Sequence, residues 1–411
     1  MQYWRSLWYF VVQRGEYSKL PFFAESPAIR AHVFSLALIL DLWSKPHYRA
    51  PTLQQDLLNN LKNVALPGTG IPLSYFCVHK WIALVFIAFV NPLICLFAAV
   101  RDGKASTPAS KLFAQYLLSP RDWFSLWQLN CRLASVHSLT TAAPGFAMEN
   151  KWDFLVKGEA EGVAVSPYMK LPKITLKNKN IEGGMGIHFF ENASAGGDWI
   201  IQPVFDNAAP LAKVLPTHSP LSTFRVITIS RGALNPENPY VDARTKATIA
   251  PEDLITPLCC VFRAGREGAA TDHKSILYDV DFATGRIKSG AVNEHWYRLG
   301  VQHVNLWKTA FPENDHKQGR FDSHPDTGVF MVGAEIVKPS QLFALCVDAH
   351  YKLLADVPVA GWDIAVTTAG TFLLEANLSC NFFMGSFDQA AYFSFVDECF
   401  AEVDRRRHAE A

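Results

Sequence analysis

The sequence predicts an α+β protein, because its two parts carry different periodicities. Up to about residue 145 apolar side chains recur at helical spacing; from about 150 short β-type runs are separated by turns. No internal repeat or low-complexity segment interrupts that division. In the first part, AIRAHVFSLALILDLWSK (28–45) and SPRDWFSLWQLNCRLASVH (119–137) place apolar residues at i, i+3 and i+4. Ser119-Pro120 reads as a helix start, an N-cap followed by proline in the first turn. The Trp and Phe stripes of this part read as core. Thr140–Gly145 reads as a linker, dividing a helix-rich N-terminal region (1–145) from a domain at 146–400. In the second part KITLKN, DWIIQPVF, FRVITIS, SILYDVDF, GWDIAVTT and GTFLLEAN are strand-like. Helical stretches such as SQLFALCVDAHYKLLA lie between them, which argues for largely antiparallel sheets.

Composition bounds the function. The chain has 411 residues and is 49% hydrophobic and 18% charged, so it can bury a large core and is not a disordered tail. Its 38 basic residues balance 38 acidic ones, without the basic excess expected of a nucleic-acid binder. The eight cysteines are scattered, with no CxxC pair and no zinc spacing. They read as thiols in a reducing, cytoplasmic compartment. The N-terminus lacks a small-residue cleavage site, so no signal peptide is expected. Trp81–Val100 is strongly apolar, and twenty helical residues cover about 30 Å, the thickness of a bilayer core. Asn91-Pro92 at its midpoint is expected to break it into two short helices, with Lys80 and Arg101 at the ends. A re-entrant hairpin, peripheral contact with the inner face of a membrane, or a buried helix pair would each fit.

The stretch Gly361–Asn377, GWDIAVTTAGTFLLEAN, carries the most chemistry. A three-residue loop, Thr368-Ala369-Gly370, would set Thr367 opposite Thr371, Val366 opposite Phe372 and Ile364 opposite Leu374. Asp363 then lies opposite Glu375. Alternation puts Ile364, Val366, Phe372 and Leu374 on one face, and Asp363, Glu375 and Asn377 on the other. Opposed carboxylates repel unless a cation sits between them, and an Asp/Glu/Asn oxygen set suits Mg²⁺ with phosphate oxygens. Upstream, ITLKNKNIEGGMGI joins a strand ending in Lys177 to a loop bearing Gly183, Gly184 and Gly186. Such glycines let backbone N–H groups close around phosphate while a lysine supplies a point charge. Lys177 and Lys179 share a face of the strand, and either fits that role. The loop is neither a Walker A nor a Rossmann motif.

Taken in order, these pieces resemble the sugar-transfer-associated ATP-grasp proteins, relatives of alpha-L-glutamate ligase-like enzymes, over roughly residues 110–395. Glu149–Phe154 followed by Glu161–Pro167 resembles the family's early lysine helix and the entry to its nucleotide fold. ITLKNKNIEGGMGI resembles its strand lysine and glycine loop, and Asp198–Val204 its adenine hinge. Ser222–Thr228 resembles an "NTxRVVT" element, His324–Gly328 an "HPxTG" segment, and Gly361–Asn377 a "GWDxAxxxxGxxxxExN" metal hairpin. Asn178 stands where a proline is common, and no second glycine-rich stretch occurs in 271–287. The resemblance implies an ATP-grasp fold, two α+β subdomains clasping ATP. It implies Lys151 and Lys177 on the phosphates, Gln202 and Val204 at the adenine, and Arg225 as a catalytic guanidinium on the γ-phosphate or an acyl-phosphate. Asp363, Glu375 and Asn377 would hold magnesium, and His324 and Thr327 are candidate substrate contacts.

The activity so implied is an ATP-dependent carboxylate–amine ligase acting through an acyl-phosphate in envelope or exopolysaccharide biosynthesis, with ATP and Mg²⁺ as cofactors and a carboxylate as substrate. A kinase of a sugar or alcohol would use the same ATP site, and a non-catalytic nucleotide-binding assembly factor would use only part of it.

Overall fold

The computed structural model describes residues 2–62, 72–118, 123–183, 185–242, 245–271, 275–292, 320–380, 382 and 385–409. The helix start expected at Ser119-Pro120, and Gly184, lie outside them. Helices and sheet are both present in quantity, as an α+β chain requires.

The centre is a six-stranded sheet of strands β3 (Thr223–Ser230), β4 (Ile255–Ala264), β5 (Ile276–Val280), β6 (Ile287–Val292), β7 (Val359–Thr367) and β8 (Gly370–Asn377), in the order β6-β5-β4-β3-β7-β8. Every neighbouring pair is antiparallel. Strand β3 is buried at each of its positions. A strand buried on both faces needs a layer on each side of the sheet, and the chain supplies two.

Beneath one face lies helix α8 (Pro339–Leu354), started by Pro339, with Leu342, Cys346, Ala349 and Leu353 on its buried side. Its apolar partners on the sheet include Phe224, Val226, Phe262, Trp362 and Ile364. Trp362 Nε1 donates to Thr228 Oγ1 at 2.7 Å, and that hydroxyl donates to His350 Nδ1 at 2.7 Å. His350 Nε2 in turn donates to the Val357 carbonyl at 3.1 Å. Burial pushes the His350 pKa down to about 4, so the ring is neutral and can accept from Thr228. This chain of bonds ties α8, β3 and β7 together beside Asp363.

Over the other face lie the N-terminal helices: α1 (Gln2–Val11), α2 (Pro27–Leu42), α3 (Leu53–Leu61), α4 (Lys80–Asp102), α5 (Ala109–Leu117) and α6 (Trp123–Thr141). The C-terminal helix α9 (Gln389–Ala409) joins them. Helix α2 begins at Pro27 and is buried nearly all round, as the middle of a helical layer must be. Its Leu36 and Leu38 belong to one core cluster with Leu133 of α6, Ile227 of β3, Val261 of β4 and Phe400 of α9. The N-terminal helices are thus one wall of the sheet's own core. The stretch expected as a linker, Thr140–Gly145, is the end of α6 and a tight turn whose Ala143 and Gly145 are buried. Gly145 N donates to Asp356 Oδ2 at 3.1 Å, and Phe146 and Met148 are core residues.

The break expected at Asn91-Pro92 is absent. Lys80–Asp102 runs as one helix of 23 residues, widened to a π turn over Phe86–Val90. Proline clashes with the carbonyl four residues earlier, and a π turn directly before it relieves that clash without reversing the chain. The chain thus does not turn back at Asn91-Pro92 between two short helices, the arrangement a re-entrant hairpin requires. All eight cysteines are buried and none forms a disulfide.

A separate two-stranded sheet pairs β1 (Lys173–Lys177) with β2 (Ile187–Glu191). Helix α7 (Lys151–Ala160) is capped by Asn150, whose side chain accepts from Trp152 N and Asp153 N.

Candidate functional site

Two local features set the β7–β8 hairpin. Its turn has two residues, Thr368-Ala369, where a loop of three was expected, so Thr367 pairs with Gly370 and Ile364 with Leu373. A bulge between Asp363 and Ile364 then restores the register, and Asp363 pairs with Glu375. The apolar face accordingly carries Trp362, Ile364 and Leu373, with Leu373 in the place foreseen for Leu374. The opposite face carries Asp363, Glu375 and Asn377 as expected from the alternation.

Cations meet these oxygens from three elements. Arg225 sits opposite Asp363 in the β3–β7 ladder and donates from Nε to Oδ1 at 2.5 Å. Arg263 of β4 reaches Asp363 Oδ2 from Nη1 at 3.2 Å. Lys151, the first residue of α7, lies 2.7 Å from Glu375 Oε2. Asn377 Nδ2 donates to Glu375 Oε1 at 3.2 Å, which keeps its own carbonyl oxygen as an acceptor. Burial alone would raise the Asp363 pKa, but the guanidiniums of Arg225 and Arg263 outweigh it and hold the carboxyl below the usual range. Burial works against the charge of Lys151 also, and Glu375 more than offsets it. Three cations against two carboxylates leave this group with one net positive charge. Gly361 makes room for it: a Cβ there would lie 2.6 Å from Cys380 Cβ and 3.0 Å from Arg225 Nη1.

A second buried set connects the group to the N-terminal helices. Glu149 Oε2 accepts from Leu378 N at 2.7 Å, directly after Asn377, and its Oε1 accepts from Arg49 Nη1 at 2.5 Å. Arg49 is itself fixed on Asp56, with Nε 2.6 Å from Oδ1 and Nη2 3.1 Å from Oδ2. Burial raises the Glu149 pKa despite that guanidinium. Neither Arg263 nor Arg49 and Glu149 was foreseen as part of the site.

The other described residues expected at the site make no hydrogen bond or ion pair to this group. Lys177 and Lys179 are exposed, and neither makes an ion pair among the described residues. The loop between β1 and β2 closes through Asn178 N and the Gly186 carbonyl at 3.0 Å. Gly183 and Gly186 take φ of 70° and 69°, a conformation that favours glycine. Gln202 spends its side-chain amide on Ser166 Oγ (3.1 Å) and the Pro167 carbonyl (3.2 Å), while Val204 is 97% exposed. His324 is fully buried: Nε2 donates to the Gly265 carbonyl at 3.1 Å, and Nδ1 accepts from Asp326 N at 3.3 Å. Both ring nitrogens are thus used on backbone, and burial lowers the pKa. The ring fastens its turn to the end of β4, two residues beyond Arg263, and does not present an edge to a substrate. Thr327 Oγ1 donates to the Val214 carbonyl at 3.2 Å and is likewise structural here.

One close trio of metal-type ligands occurs among the described residues, His47, Asp56 and Cys131. Its Asp56 is engaged by Arg49 and Asn60, and His47 Nδ1 accepts from Arg49 N at 3.4 Å. That bond leaves the proton on Nε2, which lies 3.8 Å from Asp56 Oδ2.

Comparison of the chain with protein-family models, with curated proteins and with solved structures returns no match.

Proposed function

We propose that this chain is an ATP-grasp enzyme, a magnesium-dependent carboxylate–amine ligase that works through an acyl-phosphate. The observation that carries the reading is the oxygen set Asp363, Glu375 and Asn377 on one face of an edge hairpin, ringed by Lys151, Arg225 and Arg263. Every carboxylate oxygen there has a cationic or amide donor. Polyphosphate oxygens entering beside Lys151 and Arg225 would draw those cations to themselves. The freed carboxylate oxygens then suit Mg²⁺, which when bound neutralises phosphate charge and aligns the γ-phosphate. The exposed glycine hairpin with Lys177 would close over the phosphates, and the 202–204 backbone would meet the adenine.

In the reaction a substrate carboxylate oxygen attacks the γ-phosphorus and the bond to ADP breaks. An amine nitrogen then attacks the acyl carbon, phosphate leaves, and the nitrogen gives up a proton. Arg225 and Arg263 would stabilise charge on the transferring group, with their guanidiniums preorganised by Asp363. The substrate class expected is a carboxylate of an envelope or exopolysaccharide precursor.

Calorimetric titration with ATP, with and without Mg²⁺, tests the site. Wild type is expected to bind only with magnesium, and Lys151→Ala and Glu375→Gln each to weaken binding at least about tenfold, the loss of one charge-assisted contact. Absence of magnesium-dependent binding by wild type would sink the reading. Hydroxylamine trapping then separates a ligase from a kinase, because only an acyl-phosphate yields a hydroxamate.

A further inference from the structure

Helix α4 has two unlike sides. Ala83, Leu84, Ala88, Cys95, Ala98 and Ala99 face the protein along its whole length. Trp81, Val85, Phe89, Leu93, Phe97 and Val100 face outward, each between 38% and 64% exposed. They recur every three or four residues, so they form one apolar stripe along a helix about 35 Å long. A soluble surface rarely keeps so long an apolar patch uncovered. The charge around it is equally one-sided. From Lys80 to Lys111 the only acid is Asp102, against Lys80, Arg101, Lys104 and Lys111, although the whole chain is neutral. Asp102 is already bound by Arg101 at 2.7 Å and by the Tyr116 hydroxyl at 3.0 Å. Lys80 stands 5.9 Å from the Trp81 ring at one end of the stripe, and Lys104 and Lys111 are exposed beyond the other.

We propose that this stripe lies in the headgroup layer of an anionic bilayer, with α4 parallel to the membrane surface. An in-plane helix buries one apolar face in the lipid boundary and keeps its other face on the protein. The cations at both ends complement acidic headgroups. A crossing orientation would draw the Arg101–Asp102–Tyr116 group and neighbouring α5, with Lys111, into hydrocarbon, where charge is costly. The inference is independent of the ATP reading: α4 contributes no residue to the Asp363 group, and either can fail alone.

The test is sedimentation of the full chain with vesicles of phosphatidylcholine alone and of phosphatidylcholine mixed with phosphatidylglycerol. The protein is expected to pellet with the mixed vesicles and to be released by alkaline carbonate. Lys104→Gln and Lys111→Gln should each weaken partitioning about fivefold. Leu93→Glu/Phe97→Glu should abolish it while leaving the circular dichroism spectrum and magnesium–ATP binding unchanged, since both side chains are exposed. Retention on the membrane after carbonate would overturn the in-plane orientation. Failure to pellet with either vesicle overturns the proposal, as does a dimer without vesicle binding that the glutamate variant splits into monomers; a second copy would then be the occupant of the stripe.

Discussion

Replacing Asp363 by asparagine removes the negative charge to which two buried arginines donate while keeping the side chain's shape. Breaking a buried ion pair from one side costs about 3–5 kcal/mol. The asparagine oxygen can still accept one bond, as a neutral acceptor, so the expected loss lies at the lower end, about 3 kcal/mol. Denaturant unfolding in metal-free buffer at pH 7 measures it, with an unchanged slope against denaturant. Arg263→Met combined with Asp363→Asn should cost about 1–2 kcal/mol less than the two changes summed, because both remove the same ion pair and its loss is counted once. The pH dependence has a definite sign. The folded pKa of Asp363 is held below the ordinary carboxyl value, so its contribution is present above that ordinary value and is lost as pH falls through the folded one. Wild type and Asp363→Asn should therefore converge in acid. A loss below about 1 kcal/mol at pH 7 would show that Arg225 and Arg263 do not depend on this carboxylate, and would refute the account of the site's charge balance.

Other consequences are open to measurement. Thr228→Val deprives Trp362 Nε1 and His350 Nδ1 of their shared partner and should cost about 2–4 kcal/mol in unfolding free energy, with a changed near-ultraviolet Trp signal. Arg49→Met leaves the buried Glu149 without its guanidinium. It should destabilise the fold by about 3–5 kcal/mol and weaken magnesium–ATP binding measured by calorimetry, although Arg49 contacts no residue assigned to the nucleotide. Burial lowers the pKa of His32 to about 3 and of His47, His137 and His350 to about 4. Histidines charge in the unfolded chain near pH 6.5, so unfolding takes up these protons between pH 6.5 and 4. Stability should fall through that window by about 1.4 kcal/mol per pH unit for each histidine, readable from denaturant midpoints.

What the sequence could disclose follows the reach of each interaction. The α+β class was readable because helical and strand periods are local. The opposition of Asp363 to Glu375 was readable for the same reason, though by two compensating departures: a shorter turn, and a bulge that returned the register. The break foreseen at Asn91-Pro92 failed because a proline's clash can be met by a π turn as well as by a chain reversal. Thr140–Gly145 has a linker's composition, yet Asp356, 211 residues away, accepts a bond from its Gly145. Arg263 meets Asp363 across 100 residues and Arg49 meets Glu149 across another 100, so no local pattern signals either pair. His324 shows the opposite error: a reactive residue type in a loop, with both nitrogens already used on backbone.

The wall that the N-terminal helices build over the sheet bears on any minimal fragment. A chain cut near residue 146 would keep Lys151 and the β7–β8 hairpin but uncover Ile227, Cys259 and Val261 on the sheet and Tyr392 and Phe400 on α9. It would also strip Glu149 of Arg49. Such a fragment would present a broad adhesive surface beside a carboxylate stranded without its counterion, and would be expected to precipitate rather than fold. Tests of the proposed magnesium–ATP binding thus require the whole chain in one piece.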